Sequence, residues 1–424
     1  MSRYQKYPAY KDSGVEWIGE IPEHWTVWKV THGFKTIGSG TTPKSDNPEY
    51  YDGDIHWVTT SELRESKILD TSQKVSKKAL NEYSALKIYS AGSIAIAMYG
   101  ATIGRLGILG INATVNQACC VFSKPTVFDP LFLYYWLQMR KPILLSLSTG
   151  GGQPNLSQDD LKQLRIPIPP INEQKGIVSF LNRKTAEIDE LISKKEELLK
   201  QLDEKRSTLI TQAVTKGIDP TLPMKDSGIA WLGVIPTHWG ITALHHITML
   251  KSGESIIATM MDENEEFPVY GGNGFRGYYS GYTHNGDYIL IGRQGALCGN
   301  INYASGKFWA SEHAIVLTPT KAISTTWLGE LLKAMNLNQY SVSAAQPGLS
   351  AEAIGRLKIP LPPFEEQQAI AEEIEKKTAT IDRQKAQVTE AVELLKEYRS
   401  ALITDAVTGK MDVHSYETKE SFSA

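Results

Sequence analysis

With 424 residues, 41% of them hydrophobic and 21% charged, the chain is too long for one ordinary domain and has the composition of a soluble protein with two or three cores. No apolar run approaches the ~20 residues of a membrane span, and the opening MSRYQKYPAY lacks the apolar stretch of a signal peptide, so a cytoplasmic protein with no membrane partner is expected. The net charge of -3 excludes a uniformly basic nucleic-acid binder, but it is unevenly spread: residues 1–165 carry +3, 166–220 are neutral, 221–358 carry -1 and 359–424 carry -5.

In chain order the first element to read is DSGVEWIGEIPEHW (Asp12 to Trp25), because it returns as DSGIAWLGVIPTHW (Asp226 to Trp239), 214 residues on. A repeat of that length outranks any local motif. Between Trp25 and Ile166 short β-branched and apolar runs, DIHWVTT (Asp54 to Thr60) and SIAIAMYG (Ser93 to Gly100), are broken by Gly, Pro and Asn, which predicts a mixed α/β globule. Cys119 and Cys120 fall within it and Cys298 in its counterpart. Three cysteines without metal-ligand spacing are expected to be reduced and structural.

After IPIPP (Ile166 to Pro170) about forty residues run rich in Glu, Lys, Leu and Ile, without Pro and almost without Gly, which predicts a long helix. Glu173 lies in its first turn, where negative charge suits the dipole, and Gly217 marks its end. Leu181, Ile188, Lys195, Leu202 and Leu209 fall seven apart, interleaved with Thr185, Ile192, Leu199, Arg206 and Ala213, a heptad seam.

The second copy reads alike. GDYILIGRQGALCG (Gly286 to Gly299) stands where GSIAIAMYGATIG (Gly92 to Gly104) stands in the first, as strand, tight glycine turn, strand. IPLPP (Ile359 to Pro363) opens a second helix with Glu366 near its start and Gly409 at its end, now at an offset of 193. Its seam is Ile374, Ile381, Val388, Leu395 and Leu402, interleaved with Thr378, Lys385, Val392, Arg399 and Ala406. The copies match at both ends and differ in the globule. Two matching seams predict that the helices pack on each other or on a partner.

Two divergent globules, each followed by a proline-flanked long helix, resemble the specificity subunit of type I restriction-modification enzymes. IGSGTTPKSDNPEYYDGDIHWVTTSEL (from Ile37) and YGGNGFRGYYSGYTHNGDYILIGRQGALCG (from Tyr270) are similar to openings of recognition domains in that family. QPNLSQDDLKQLRIPIPPINEQKGI (from Gln153) and QPGLSAEAIGRLKIPLPPFEEQQAI (from Gln346) resemble its entries into the helices. The resemblance implies an α/β (α+β) chain with two similar target-recognition globules separated by two long antiparallel coiled-coil helices, a pseudo-twofold internal repeat. Residues 1–165 and 221–358 are then target-recognition domains, 166–220 and 359–415 conserved helical spacers, and 416–424 a tail. It also implies a chain without a catalytic or metal site that reads a bipartite asymmetric target in double-stranded DNA. Two modification (methyltransferase) subunits dock on it and restriction (motor-nuclease) subunits join them. S-adenosylmethionine, ATP and Mg are expected in those partners, with no cofactor in this chain.

Candidate DNA contacts are side chains able to reach phosphates or base edges from the polar loops and glycine turns. In the first globule these are Thr41, Thr42, Lys44, Thr59, Ser61, Arg64, Tyr99 and Arg105; in the second, Asn273, Arg276, Tyr278, Arg293 and Gln294. Trp17/Trp231, His24/His238 and Trp25/Trp239 are retained in both copies and are expected in the core or against the helices.

Two other readings compete. FKTIGSG (Phe34 to Gly40) followed by Asn47, Pro48, Glu49 and Tyr50 superficially resembles an adenine methyltransferase, but the gap is too short for a cofactor-binding βαβ unit and the second proline is missing. Gly306-Lys307 and Gly409-Lys410 lack the rest of a phosphate loop. A coiled-coil adaptor that binds only proteins remains the alternative from another class, and salt dependence of DNA binding separates it from the first reading.

Overall fold

The computed structural model describes residues 5–147, 155–295, 297–341 and 348–414. The expected tail at 416–424 and Gln153 and Gln346 of the helix-entry strings lie outside them. The chain divides into two compact units, residues 1–194 with 391–424, and residues 195–390.

The first unit contains β1 (Tyr10–Asp12), β2 (Glu20–Pro22), β3 (Thr26–Lys29), β4 (Phe34–Gly38), β5 (Ile55–Val58), β6 (Ser66–Ile68), β7 (Lys74–Val75), α1 (Lys77–Glu82), β8 (Ile94–Ala97), β9 (Leu106–Leu109), β10 (Ala113–Val115), β11 (Cys119–Pro125), α2 (Pro130–Leu147), α3 (Gln158–Gln163), β12 (Arg165–Ile168) and the start of α4 (Ile171–Lys216). The main sheet has the order β4-β11-β8-β9-β6, and β10-β5-β7 form a second one. Strict alternation explains how β8 and β11 serve two cores. Ile94, Ile96, Cys120 and Phe122 face α2 and the helices, whereas Ala95, Ala97, Cys119 and Val121 face Val58, Leu63 and Val115. The adjacent thiols point to opposite faces, unbonded, and burial pushes Cys119 far up and Cys120 to about 12.

The second unit follows with the rest of α4, β13 (Met224–Asp226), β14 (Val234–Pro236), β15 (Gly240–Ala243), β16 (Thr248–Ser252), β17 (Phe267–Gly271), β18 (Gly274–Tyr279), β19 (His284–Asn285), β20 (Tyr288–Gly292), β21 (Ile301–Ala304), β22 (Lys307–Ala310), β23 (Ala314–Pro319), α5 (Thr325–Ala334), α6 (Ala351–Gly355), β24 (Lys358–Leu361) and α7 (Phe364–Val407). Its sheets are β16-β23-β20-β21 and β18-β17-β22-β19. The first repeats the order β4-β11-β8-β9, and the parallel pair β17–β22 repeats β5–β10. The long-range antiparallel pairings β3–β12 and β15–β24 also match. The fold is therefore mixed α/β in both copies.

The long helices begin one residue past each proline pair and span 46 and 44 residues. Each stops at a glycine with positive φ, Gly217 (+78°) and Gly409 (+73°). At Gly409 a Cβ would lie 2.4 Å from Pro22 and 3.1 Å from Trp25, so closeness as well as backbone conformation requires glycine. Within the first unit Leu181, Ile188 and Ile192 of α4 share a core with Leu395 and Leu402 of α7. Within the second, Leu209 and Ile210 share one with Ile374. Leu202, Ile381 and Val392 are buried as well, and Leu199 and Val388 half-buried. The polar seam positions find acids on the facing helix: Arg399 with Asp189 in one unit, Arg206 with Asp382 and Lys385 with Asp203 in the other. Within the second unit Asp203 meets Lys385 and Arg206 meets Asp382, so a step forward along that part of α4 is a step back along α7.

Trp25 and Trp239 are fully buried, as expected for paired positions. His24 and His238 each meet the first turn of a long helix, at Glu173 (2.8 Å) and Glu366 (2.7 Å). Trp17 departs from the expectation: it is 40% exposed and stacks over the Arg140 guanidinium at 3.5 Å.

Candidate nucleic-acid interface

In the first globule the candidates converge because of one short turn, Asn116-Gln117-Ala118, between β10 and β11. The Asn116 side chain accepts from the Ala118 amide (3.1 Å), which shapes the turn. Its backbone then gathers three loops. Gly40 N–H donates to Asn116 O (3.3 Å), Asn116 N–H donates to Val58 O (2.9 Å), and Met98 N–H donates to Ala118 O (2.8 Å). These bring together the segments bearing Thr41, Thr42 and Lys44, then Thr59, and then Tyr99.

The side chains lock the arrangement. The Thr42 hydroxyl donates to Gln117 Oε1 (2.6 Å), and the Tyr99 hydroxyl to Gln117 O (3.1 Å). Trp57 Nε1 donates to Thr41 O (3.2 Å) and the Lys44 amide to the Tyr83 hydroxyl (3.1 Å). Thr42, Lys44, Tyr99, Arg105 and Gln117 are all exposed. Arg105 sits in the β8–β9 turn and has no hydrogen bond or ion pair from its guanidinium among the described residues.

Thr59 and Ser61 are used differently from a free phosphate donor. Thr59 caps a 3-10 turn at Thr60–Glu62, with its N–H and hydroxyl on Glu62 (2.6 and 2.8 Å). Burial would raise the Glu62 carboxyl, yet donors from Thr59 and Ser72 outweigh it and hold it below its ordinary value. Ser61 bonds Thr59 (2.7 Å), and exposed Arg64 reaches the Ser61 carbonyl (3.1 Å).

The second globule has the same device. Arg293 N–H donates to His313 O (2.9 Å) as Met98 does to Ala118. Leu349 N–H donates to Arg293 O (2.8 Å) as Leu156 does to Met98 (2.9 Å). Ser311 N–H donates to Tyr270 O (2.8 Å) as Asn116 does to Val58, and Gly299 bonds Gly292 as Gly104 bonds Ala97. The turn Ser311-Glu312-His313 therefore stands where Asn116-Gln117-Ala118 stands, with other side chains. Gln294 Nε2 lies 2.7 Å from His313 Nδ1, while His313 Nε2 lies 3.3 Å from Glu312 Oε1. That network assigns the proton to Nε2, so Nδ1 accepts from the Gln294 amide. The Gln294 oxygen and second amide hydrogen stay available.

Asn273 joins this face through Asn300 Nδ2 (3.4 Å), and Arg293 is exposed beside Gln294. Arg276 runs past Gly271, where a Cβ would lie 2.5 Å from its Cδ and 3.5 Å from Ser311 Oγ, so it borders this turn, whereas exposed Tyr278 packs edge-on against Phe275 at 5.0 Å on β18. The structure thus brings most of the expected residues to one turn per globule. It adds Gln117, Asn300, Glu312 and His313, which no motif in the sequence marks, since NQACC at Asn116 and SEHAI at Ser311 stand at equivalent places without one identical residue. No group of three or more His, Cys, Asp or Glu is placed to hold a metal ion among the described residues. No helix among them is long and apolar enough to cross a membrane.

This geometry defines a duplicated recognition scaffold, with two turns held alike and lined differently. Residues 22–201 and 236–394 each match the type I restriction modification DNA specificity domain. The chain is 32% identical over 355 residues to the type I restriction enzyme EcoprrI specificity subunit of Escherichia coli, covering 80% of this chain and 84% of that protein. It is 24% identical to the MjaVIII specificity subunit of Methanocaldococcus jannaschii, over 92% of this chain and 94% of that one. Among solved structures, a chain from work on complex assembly and conformational transition of the type I R-M system aligns with a TM-score of 0.73 at 17% identity, covering 91% of this chain and 98% of that one. The HsdS subunit from Thermoanaerobacter tengcongensis aligns at 0.57 and 18% identity, covering 92% and 98%. The chain belongs to the family of type I restriction-modification specificity subunits, whose members are not themselves catalytic.

Proposed function

We propose that the chain gives a type I restriction-modification complex its DNA sequence specificity, each globule reading one half of a bipartite, asymmetric duplex target through the turn at Asn116–Ala118 or at Ser311–His313. The observation that carries this is the pairing of one backbone scaffold with two sets of polar side chains. A conserved frame holds the loops at a fixed geometry, and different donors and acceptors on it select different base edges. Thr41, Thr42, Lys44, Arg64, Arg105, Arg276 and Arg293 serve phosphates or grooves, whereas Tyr99, Gln117, Asn273, Tyr278, Gln294 and His313 carry the discrimination.

In this reading α4 and α7 form an antiparallel coiled coil that spaces the two recognition globules and docks two modification subunits, to which restriction subunits attach. S-adenosylmethionine, ATP and Mg act in those cytoplasmic partners and none is bound by this chain. Linking two weak half-site contacts on one scaffold multiplies affinity through effective concentration.

The test exchanges residues 26–165 for those of a relative and maps methylated sites in cellular DNA. One half of the target changes and the other stays. A change in both halves overturns the modular reading. An assembled complex without any sequence-selective footprint overturns DNA reading itself and leaves the protein-only adaptor.

A further inference from the structure

The spacing that sets Met98 on Arg293 and Ala118 on His313 sets Arg140 of α2 on Met335 beside α5. Both are buried, at 4% and 1% exposure. Met335 suits its place, packed in an apolar core with Trp327 and Leu331. Arg140 does not. Its Nε finds no acceptor, and its guanidinium makes no hydrogen bond or ion pair among the described residues. One turn earlier on the same helix, Trp136 is fully exposed to neither solvent nor acceptor: it is 0% exposed and its Nε1 is also unpaired. Residues four apart share a helix face. Two buried donors, Arg140 Nε and Trp136 Nε1, therefore share one helix face without an acceptor among the described residues.

Arg140 lines a cleft of about 560 Å³ together with Trp17, Leu156, Asp160, Gln163 and Arg165. Trp17 covers one face of the guanidinium at 3.5 Å, leaving its edges for hydrogen bonding. The acid on the wall is held through one oxygen, since Asp160 Oδ2 accepts from the Ser157 amide and hydroxyl (3.0 and 2.7 Å), and it makes no ion pair with Arg140. Burial lowers the affinity of Arg140 for its proton, yet a guanidinium keeps its charge in proteins. A charged fork whose Nε is buried and unpaired among the described residues, at the wall of a cleft, suits an oxyanion.

We propose that this cleft is a carboxylate-binding site, where a Glu or Asp side chain of an assembling protein subunit enters beneath Trp17 and takes paired hydrogen bonds from Arg140. The planar fork matches a carboxylate in two-point geometry. A recessed group favours a ligand that protrudes from its backbone, as an acidic side chain does, over duplex phosphates, which lie on a continuous ridge. That the donor is a partner subunit rests on the assembly reading above; the existence of the anion site does not.

The experiment uses the full chain, wild type, Arg140→Met and Arg140→Lys. Thermal unfolding is followed in sodium acetate against sodium chloride at matched ionic strength, and assembly with the modification subunit by sedimentation. Acetate raises the wild-type midpoint relative to chloride, and both variants lose that difference. Arg140→Met is at least as heat-stable as wild type, as Met335 implies, and assembly weakens about 30-fold or more. Arg140→Lys keeps the charge without the fork and gives the same reading where the methionine variant does not fold. An equal acetate effect in wild type and variants, or unchanged assembly, overturns the proposal. So does a loss confined to DNA binding with assembly intact, which makes the cleft a phosphate site. Should the assembled wild-type complex show no sequence-selective footprint, the functional reading fails while the acetate and assembly measurements still decide this site.

Discussion

The turn Asn116-Gln117-Ala118 and the turn Ser311-Glu312-His313 are tied to their globules by the same backbone bonds, yet they offer different chemistry to solvent. The first presents a neutral network, Thr42 to Gln117 and Tyr99 to Gln117. The second presents a carboxylate, an imidazole and an amide in series, Glu312 to His313 to Gln294. The two turns divide labour between backbone and side chains. Backbone pairing maintains the fold, so the exposed side chains vary without destabilising it. The helix junctions show a second contrast. Glu173 accepts from Tyr7 (2.6 Å), Trp25 (2.9 Å) and His24 (2.8 Å), whereas its counterpart Glu366 accepts from His238 and leaves Trp239 Nε1 unpaired. Burial first, and then the Glu173 carboxylate, push the Tyr7 phenol far above its ordinary value, so it remains a donor.

The largest effect should come from that second contrast. Glu173→Ala strands two buried donors, Tyr7 and Trp25, besides one half-exposed histidine, and is expected to cost about 3 kcal/mol. Glu366→Ala strands one half-exposed histidine and should cost about 1 kcal/mol or less. Urea unfolding of the two variants checks this, with the slopes compared to exclude a change in unfolded-state compactness. Equal losses would mean that the two junctions are equivalent and that the Tyr7 and Trp25 bonds contribute little.

Next in size is the contrast between the reading turns. Gln294→Ala removes the polar group that His313 orients and should reduce discrimination in one half of the target by about 1–3 kcal/mol, the usual worth of a base-edge contact. His313→Ala leaves the amide in place but unoriented and should give the same pattern with a smaller loss. Gln117→Ala should alter the other half. Binding measured on targets mutated in each half separately decides the matter, and a uniform loss across all targets would identify Gln294 as a phosphate contact instead.

The repeat made much of this architecture legible. The strings at Asp12 and Asp226 and the two proline clusters located both copies and both long helices, and every expected seam residue from Leu181 to Leu402 is buried or half-buried. Heptads survive translation into structure because they depend on local periodicity. The interface depends on pairing between distant strands, and there the sequence is mute. Nothing near Val58 announces that its carbonyl receives Asn116, and so Gln117 escaped notice, and the candidate Thr59 gave no sign that it also caps a turn. Arg140 was hidden for a related reason. Near the end of an apolar helical run it reads as a solvated charge, and only the packing of Trp17 above it reveals a buried one.

The smallest expected effect concerns the ion pairs between α4 and α7. In the first unit Arg399 holds Asp189 with two bonds, 2.8 and 3.2 Å, and its side chain is 27% exposed. In the second, Arg206 meets Asp382 at 3.3 Å with 40% exposure, and Lys385 meets Asp203 through a single ammonium. Exposed pairs contribute about 0–1 kcal/mol, and two-point guanidinium geometry lies at the upper end of that range. Double-mutant cycles should therefore give about 0.5–1 kcal/mol for Asp189–Arg399 and less for the other two, with all three values shrinking in high salt. Coupling much larger than this at Asp203–Lys385, and insensitive to salt, would show that the seam's polar positions bind the helices as strongly as Ile188 or Ile381 do, and that apolar packing is not what holds the pair together.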